Sequence, residues 1–300
     1  MTTHVTRLAA GAGAALLAFT ASAAARLHAA DDVRAAWIAR TSLTSPQSID
    51  DAIAGAKRGG FNTLLVQVRA RGDAYYLNGI EPRPASLFSQ PAFDPLADAL
   101  AKGHAQGLRV YAWINVNLVA GTDVPNSRGH VAYRHPEWLM VPRRIADDLA
   151  PLDPDGPEFL GRLIRYARAQ ADTLEGLYLS PATTGAVNYT AGVVRDIVLR
   201  YAVDGVYFDY IRYPGDDLDY GRETLKAFGQ NPAAAQDRWR KFRADRLNAL
   251  LAALRGAVKT ARPTAVVTAS QEPWLAQGLL DAVLHRTPDP SPDSVKAASF

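Results

Sequence analysis

Short apolar runs alternate with longer amphipathic segments along most of the chain. The runs are rich in Val, Ile and aromatic residues and end at glycine, proline or polar turns, which is typical of buried strands. Helix-start pairs such as Ser45-Pro46 and Asp94-Pro95 open intervening segments of helical periodicity. The pattern predicts seven strands, at residues 35–39, 63–69, 109–116, 176–180, 203–209, 265–269 and 280–284.

Alternation of strands and helices favours an α/β fold with a parallel sheet. About 270 residues remain if residues 1–30 are removed, which suits one barrel-sized domain better than two small ones. Residues 286–300 are rich in Pro, Asp and Ser and predict a polar tail where an eighth strand would follow. We therefore expect a (β/α)8 TIM-type barrel over residues 31–285 that is incomplete at its C-terminus, with about seven strands.

The first 30 residues have the composition of an export signal. Arg7 precedes a short apolar stretch from Leu8 to Phe19, and Ala21-Ser22-Ala23 forms a small-x-small cleavage site. The stretch is too short to span a bilayer. We expect a cleaved signal peptide over 1–30 and a secreted or periplasmic protein without stable membrane insertion.

Charge and cysteine content exclude several function classes. The formal charge of +3 falls to +1 without the signal segment, because Arg7 and Arg26 leave with no acid. No nucleic-acid partner is therefore expected. The absence of cysteine excludes disulfides and thiol catalysis. His130 and His135 lack the spacing of a zinc motif, so neither a metal site nor a cofactor is expected.

The run from Val203 to Pro214 joins an apolar strand to charged residues at its end. Side chains alternate along a strand, so Asp209 shares one face with Tyr207, while the apolar residues between them suit outer helices. Asp209 would then point to the barrel axis at the strand end where barrels build active sites. The alternative is a structural carboxylate paired with Arg212 or Arg69. We favour Asp209 as a catalytic residue.

Two further carboxylates follow predicted strands. Asp73 lies on the loop after 63–69, and Glu272 lies directly after 265–269. Two carboxylates in unlike environments can divide the acid and base roles of a hydrolysis. Alternatively, Asp73 is a turn residue beside a glycine, and Glu272 is an exposed residue at a helix start.

Polar and aromatic residues near the same strand ends predict contacts to a sugar. Gln67 and Arg69 end one strand, Trp113 and Asn115 end the next, and Arg212 lies three residues after Asp209. Trp113 could offer a stacking plane, or it could be a core residue with its indole N–H satisfied. Asn115 at a strand end is harder to explain as a core residue.

Six segments occur along the chain in the order Trp37-Ile38-Ala39, Gln67-Val68-Arg69, Gly72-Asp73-Ala74-Tyr75, Ala112-Trp113-Ile114-Asn115, His135-Pro136-Glu137-Trp138 and Tyr201 to Pro214. In these segments the chain resembles the glycosyl-hydrolase-like 10 family, and the likeness covers residues 33–284. This resemblance implies a (β/α) barrel that hydrolyses glycosidic bonds, with bacterial envelope proteins acting on peptidoglycan among the family's members. After residue 284 the chain departs from the family pattern, which continues with further barrel elements.

These observations lead to a primary hypothesis and two alternatives. The first is an exported glycoside hydrolase acting on an envelope polysaccharide, with peptidoglycan glycan strands as the leading substrate. Asp209 would be nucleophile or general base, and Asp73 or Glu272 would protonate the leaving oxygen. The second is a non-catalytic glycan-binding barrel, an inactive or truncated homologue, and the third is a carbohydrate deacetylase. The oligomeric state is left open.

Overall fold

In the computed structural model, residues 33–123, 125–286 and 297–299 are described. The predicted signal peptide and most of the predicted tail lie outside them. The strands are β1 Ala35–Ile38, β2 Thr63–Arg69, β3 Arg109–Asn115, β4 Leu118–Ala120, β5 Leu177–Tyr178, β6 Gly205–Asp209, β7 Val266–Ala269, β8 Ala282–Val283, β9 His285–Arg286 and β10 Ala297–Ser299. The α-helices are α1 Pro46–Arg58, α2 Pro95–Ala105, α3 Val131–Arg134, α4 Ala146–Leu149, α5 Pro157–Ala169, α6 Thr184–Arg200, α7 Arg222–Phe228, α8 Gln236–Ala261 and α9 Glu272–Ala276.

Six strands form a parallel sheet in the order β8-β7-β6-β3-β2-β1, to which β10 and β9 add in antiparallel orientation. The strands β8 and β9 stand at opposite ends of this order, yet only Leu284 separates them in the chain. The two ends of the sheet must therefore meet, which curls it into a barrel. The predicted α/β class and incomplete TIM-type barrel are confirmed, because fewer than eight parallel strands are present among the described residues.

Two apolar layers lie on the two faces of the curled sheet. The outer layer packs sheet residues such as Val206 and Phe208 against α6 and α8. The inner layer holds Tyr207 and completely buried Leu284. The alternation predicted for β6 is confirmed, since Tyr207 lies inside while its neighbours face the helices. The inner layer consists of Ala35, Trp37, Leu65, Tyr111, Trp113, Tyr207 and Leu284.

One predicted barrel strand is wrong. Residues 177–178 do not join the main sheet, because β6 pairs directly with β3; they form β5, which pairs antiparallel with β4 in a separate two-stranded sheet. Gly176 permits this pairing, since a Cβ there would lie 1.9 Å from the carbonyl oxygen of Ala120. Around this small sheet the chain between β3 and α6 builds its own apolar core, to which α3 and α5 contribute.

The segment expected to be a polar tail contains a short strand. Residues 297–299 form β10, which pairs with β1 in a register that places Ala35 opposite Ala298. Neighbouring Pro and Asp residues obscure a strand of three residues in the sequence pattern. No helix in the described part of the chain is both long and apolar enough to cross a membrane.

Candidate active site

Asp209 ends β6 at the carboxyl edge of the parallel sheet, and both of its carboxylate oxygens accept hydrogen bonds. The indole Nε1 of Trp113 donates to Oδ2 at 3.1 Å, and the backbone N–H of Tyr210 donates to Oδ1 at 2.8 Å. The side chain is half-buried. Two donors on two oxygens leave the carboxylate little rotational freedom, so its direction at the strand end is fixed.

Tyr210 adopts a left-handed backbone conformation, with φ at +55°. This region is unfavourable for an aromatic residue, and such strain is concentrated at functional sites. The unusual φ redirects the chain immediately after the residue whose N–H binds the Asp209 carboxylate.

Trp113 lies in the inner layer, opposite Tyr207 in the β3–β6 register. Its ring is 6% exposed and meets Trp37 edge-on, with centroids 4.8 Å apart and planes at 85°. Trp37 in turn meets Tyr207 at 4.5 Å. Packed in this way, Trp113 contacts the candidate catalytic residue through its N–H, and its ring faces other aromatic side chains.

Gln67 and Asn115 join the ends of three strands. Gln67 Oε1 accepts from the backbone N–H of Arg40 at 3.1 Å, and its Nε2 lies 3.5 Å from Asn115 Oδ1. Asn115 Nδ2 donates to the Ala70 carbonyl at 2.9 Å, and its side chain is almost completely buried. Since these polar atoms bind the protein itself, the two amides stabilise the strand ends that carry the site.

Arg69 is completely buried in an ion pair with Glu81. Its Nε and Nη2 each lie 2.7 Å from a Glu81 carboxylate oxygen, and Nη1 donates to the Val116 carbonyl at 2.9 Å. A bulge in β2 shifts the register so that Arg69 stands opposite Ile114, which packs in the outer layer. The structure therefore does not bring Arg69 to the strand mouth with Asp209. Sequence reasoning missed Glu81, although a buried arginine requires such a partner.

The two candidate acids occupy different environments. Asp73 is half-buried, and its Oδ1 accepts the backbone N–H groups of Ala70 and Arg71 at 3.0 and 2.9 Å in a tight turn. Glu272 opens α9 on the exposed surface, where it lies 3.2 Å from His285 Nε2. Asp73 thus lies in a turn that lines a groove with Arg40 and Arg71, and Glu272 faces solvent.

Arg212 joins the loop after β6 to the small two-stranded sheet. Its Nη2 donates to Glu175, and its guanidinium lies 5.2 Å from the Tyr210 ring and 5.9 Å from the Tyr178 ring. Burial opposes ionisation of Glu175, but hydrogen bonds from Tyr178 and Arg212 keep its pKa below the ordinary value. Glu175 and Tyr178 were missed from the sequence, where nothing marks them as partners of a residue 34 or more positions downstream.

Asp219 is a fully buried carboxylate in the loop between β6 and α7. Ser180 and Thr224 donate hydroxyl hydrogen bonds to its two oxygens, each at 2.9 Å, and its backbone φ is +78°. Burial raises the pKa of Asp219 to about 6, although both hydroxyl bonds act in the opposite direction. Through these two bonds Asp219 connects Ser180, just after β5, to Thr224 in α7. No group of three His, Cys, Asp or Glu side chains in the described chain could hold a metal ion.

We expect the contribution of Asp219 to the free energy of unfolding to fall as pH rises from about 4 to about 6. Asp219 binds its proton more tightly in the folded chain, so folding releases less free energy as that proton is lost, by up to about 3 kcal/mol. Asp219→Asn should flatten this slope, whereas the exposed control Asp172→Asn should keep it. Urea unfolding at several pH values measures both. Equal slopes in wild type and Asp219→Asn would contradict the assignment.

Comparison with known proteins agrees with this architecture. The family model "Glycosyl hydrolase-like 10" matches residues 32–284. Glycosyl hydrolase DigH of Escherichia coli K12 is 26% identical over 235 residues, which cover 72% of this chain and 45% of DigH. Glycosyl hydrolase YngK of Bacillus subtilis is 23% identical over 215 residues, covering 68% of this chain and 35% of YngK. The chain thus spans less than half the length of these relatives.

A solved structure shows the same fold. The glycoside hydrolase domain of PgaB (BpsB) from Bordetella bronchiseptica aligns with a TM-score of 0.52 and 17% identity, covering 80% of this chain and 65% of that one. At this identity the likeness concerns the fold alone. The family match covers most of the chain, including β1 to β8 and every strand end described above. The chain belongs to the glycosyl hydrolase-like 10 family.

Proposed function

We propose that this protein is an exported glycoside hydrolase acting on an envelope polysaccharide, with peptidoglycan glycan strands as the leading substrate. The observation that carries the proposal is Asp209, whose carboxylate is held by two N–H donors at the strand end where barrels build active sites. Family membership supports a glycan-acting hydrolase.

Asp209 has the surroundings of a nucleophile or general base. The Trp113 indole and the Tyr210 backbone each offer it an N–H group, which can only donate, so these two contacts stabilise oxygens that accept. In a two-carboxylate hydrolysis such a group attacks the anomeric carbon or activates a water, while a second carboxyl protonates the leaving oxygen. We assign the second role to Asp73 or Glu272.

Asp73 is the better placed of the two acids for a bound glycan. It lines a groove beside the strand ends, and only its Oδ1 is engaged by backbone donors in the described structure. Glu272 is largely exposed at the start of α9. Its role as an acid would require the substrate to cover it.

The assay for this function uses purified glycan strands freed of peptide. We expect the wild-type protein to release reducing ends in proportion to its concentration, without an added metal or cofactor. Glycan binding without release would instead support the non-catalytic glycan-binding barrel, and release of acetate would support the deacetylase. Fractionation of cells expressing the full chain tests export through residues 1–30.

A further inference from the structure

A groove of about 280 Å³ lies beside the carboxyl ends of β1 and β2. Three arginines and two aspartates line it: Arg40, Arg71 and Arg83, with Asp73 and Asp123. His130 also lines the groove, but backbone groups engage both of its ring nitrogens, the Arg71 carbonyl at Nε2 and the Ala132 N–H at Nδ1. The surplus of basic side chains suits a ligand that carries negative charge.

Two of the three guanidinium groups in this groove have no hydrogen-bond or ion-pair partner in the described part of the chain. Arg83 donates to three backbone carbonyls, the shortest bond being 2.9 Å to Phe93. Among the described residues, the side chains of Arg40 and Arg71 form neither an ion pair nor a hydrogen bond, although both are half-buried. Asp123 already lies 3.3 Å from Arg168. Each free guanidinium presents five N–H donors in a planar arrangement that matches an oxyanion.

The backbone beneath these side chains is held in place. The Arg71 carbonyl accepts from His130 Nε2 at 2.7 Å, and the Arg71 N–H donates to Asp73 at 2.9 Å. Gly72 between them has φ at +64°, and a Cβ there would lie 2.6 Å from His130 Nε2. The Arg40 N–H donates to Gln67, which stands next to Trp113 in the sheet register. The backbone of the groove is thus fixed, and Gln67 joins it to the end of β2.

We propose that this groove binds an oxyanion substituent, a carboxylate or a phosphate ester, on a sugar of the glycan substrate. Arg40 and Arg71 donate to its oxygens. Charge-assisted bonds from guanidinium are strong and directional, so the groove selects an acidic glycan over a neutral one. This inference rests on the proposed function and identifies the chemical class of its substrate.

Three oligosaccharides of equal length and linkage test the groove: one carboxylated, its carboxyl-reduced counterpart, and one phosphorylated. Titration calorimetry in an Asp209→Asn background measures binding to an intact ligand. We expect Arg40→Gln and Arg71→Gln each to weaken binding of the acidic ligand by about 10- to 100-fold and of the neutral ligand by less than about twofold. Arg58→Gln removes the same charge from the exposed end of α1 and should change neither.

The acidic ligand whose affinity depends on Arg40 and Arg71 identifies the oxyanion as carboxylate or phosphate. Equal affinity for acidic and neutral ligands, no measurable binding of any of the three, or equal losses in Arg58→Gln would each overturn the proposal. Hydrolysis is measured separately with Asp209 present. Charge-dependent binding without hydrolysis would overturn only the proposed activity, and equal hydrolysis of acidic and neutral ligands would overturn only the oxyanion groove.

Discussion

Replacing Asp209 by asparagine is expected to lower the rate of glycan hydrolysis by about 10³-fold or more. An amide of the same shape can neither attack the anomeric carbon nor remove a proton from water. Its single oxygen also accepts only one of the two N–H donors that now hold the carboxylate, from Trp113 and Tyr210. The rate of reducing-end release from glycan strands measures the loss.

Asp204→Asn is the matched control for this experiment, because it makes the same chemical change at the opposite edge of the sheet. Asp204 accepts from the Val110 N–H at 2.7 Å and lies 2.9 Å from His104 Nε2, just before β6 begins. We expect this variant to keep its hydrolytic rate. Full activity in Asp209→Asn, or an equal loss in Asp204→Asn, would show that Asp209 is not catalytic.

Trp113→Phe separates orientation from chemistry at the same site. Phenylalanine keeps an aromatic ring in the inner layer but removes the indole N–H that donates to Asp209. Since the Tyr210 N–H remains, we expect a rate loss of about tenfold, well below that of Asp209→Asn. A positioning role also predicts that kcat falls more than KM changes.

The alternation of apolar residues along a strand predicts which side chains are buried and which face of the sheet each one occupies. The sequence-based interpretation is accurate for these two properties. The six parallel strands and the inward direction of Tyr207 follow from apolar runs and their alternation. Residues 177–178 have the same pattern, but their partner is β4, and local periodicity contains no information about which strand pairs with which.

Arg69 illustrates a second physical limit. Strict alternation places it on the same face as Gln67, yet the bulge between them opposes Arg69 to Ile114 on the outer side of the sheet. A bulge inserts one extra residue, so the side chains beyond it point to the opposite face of the sheet. The identity of Glu81 as its partner depends on how the following loop folds back, which the strand pattern does not encode. The register of β6 with β3 is unbroken from Gly205 to Asp209. Asp209 therefore ends its strand as predicted.

Glu81→Gln is expected to lower the free energy of unfolding by about 3–5 kcal/mol, because it leaves the Arg69 charge buried without a counter-ion. Both side chains of the pair are completely buried. Glu81 also accepts from the Tyr189 hydroxyl at 3.2 Å, so the pair connects β2 to α6. Urea unfolding at neutral pH measures the loss, and Glu158→Gln, in the exposed pair with Arg162, should cost less than about 1 kcal/mol.

The double variant Arg69→Met, Glu81→Leu distinguishes an uncompensated charge from lost packing. Removing both charges avoids the desolvation cost that either single change exposes, so the double variant should be more stable than Glu81→Gln. It still loses the guanidinium bonds to the Asn115 and Val116 carbonyls, and these groups lie directly beside Asp209 in the β3–β6 pairing. We therefore expect recovered stability together with a reduced rate of hydrolysis. A double variant as unstable as Glu81→Gln would show that packing of the pair, and not its charge, stabilises the end of β2.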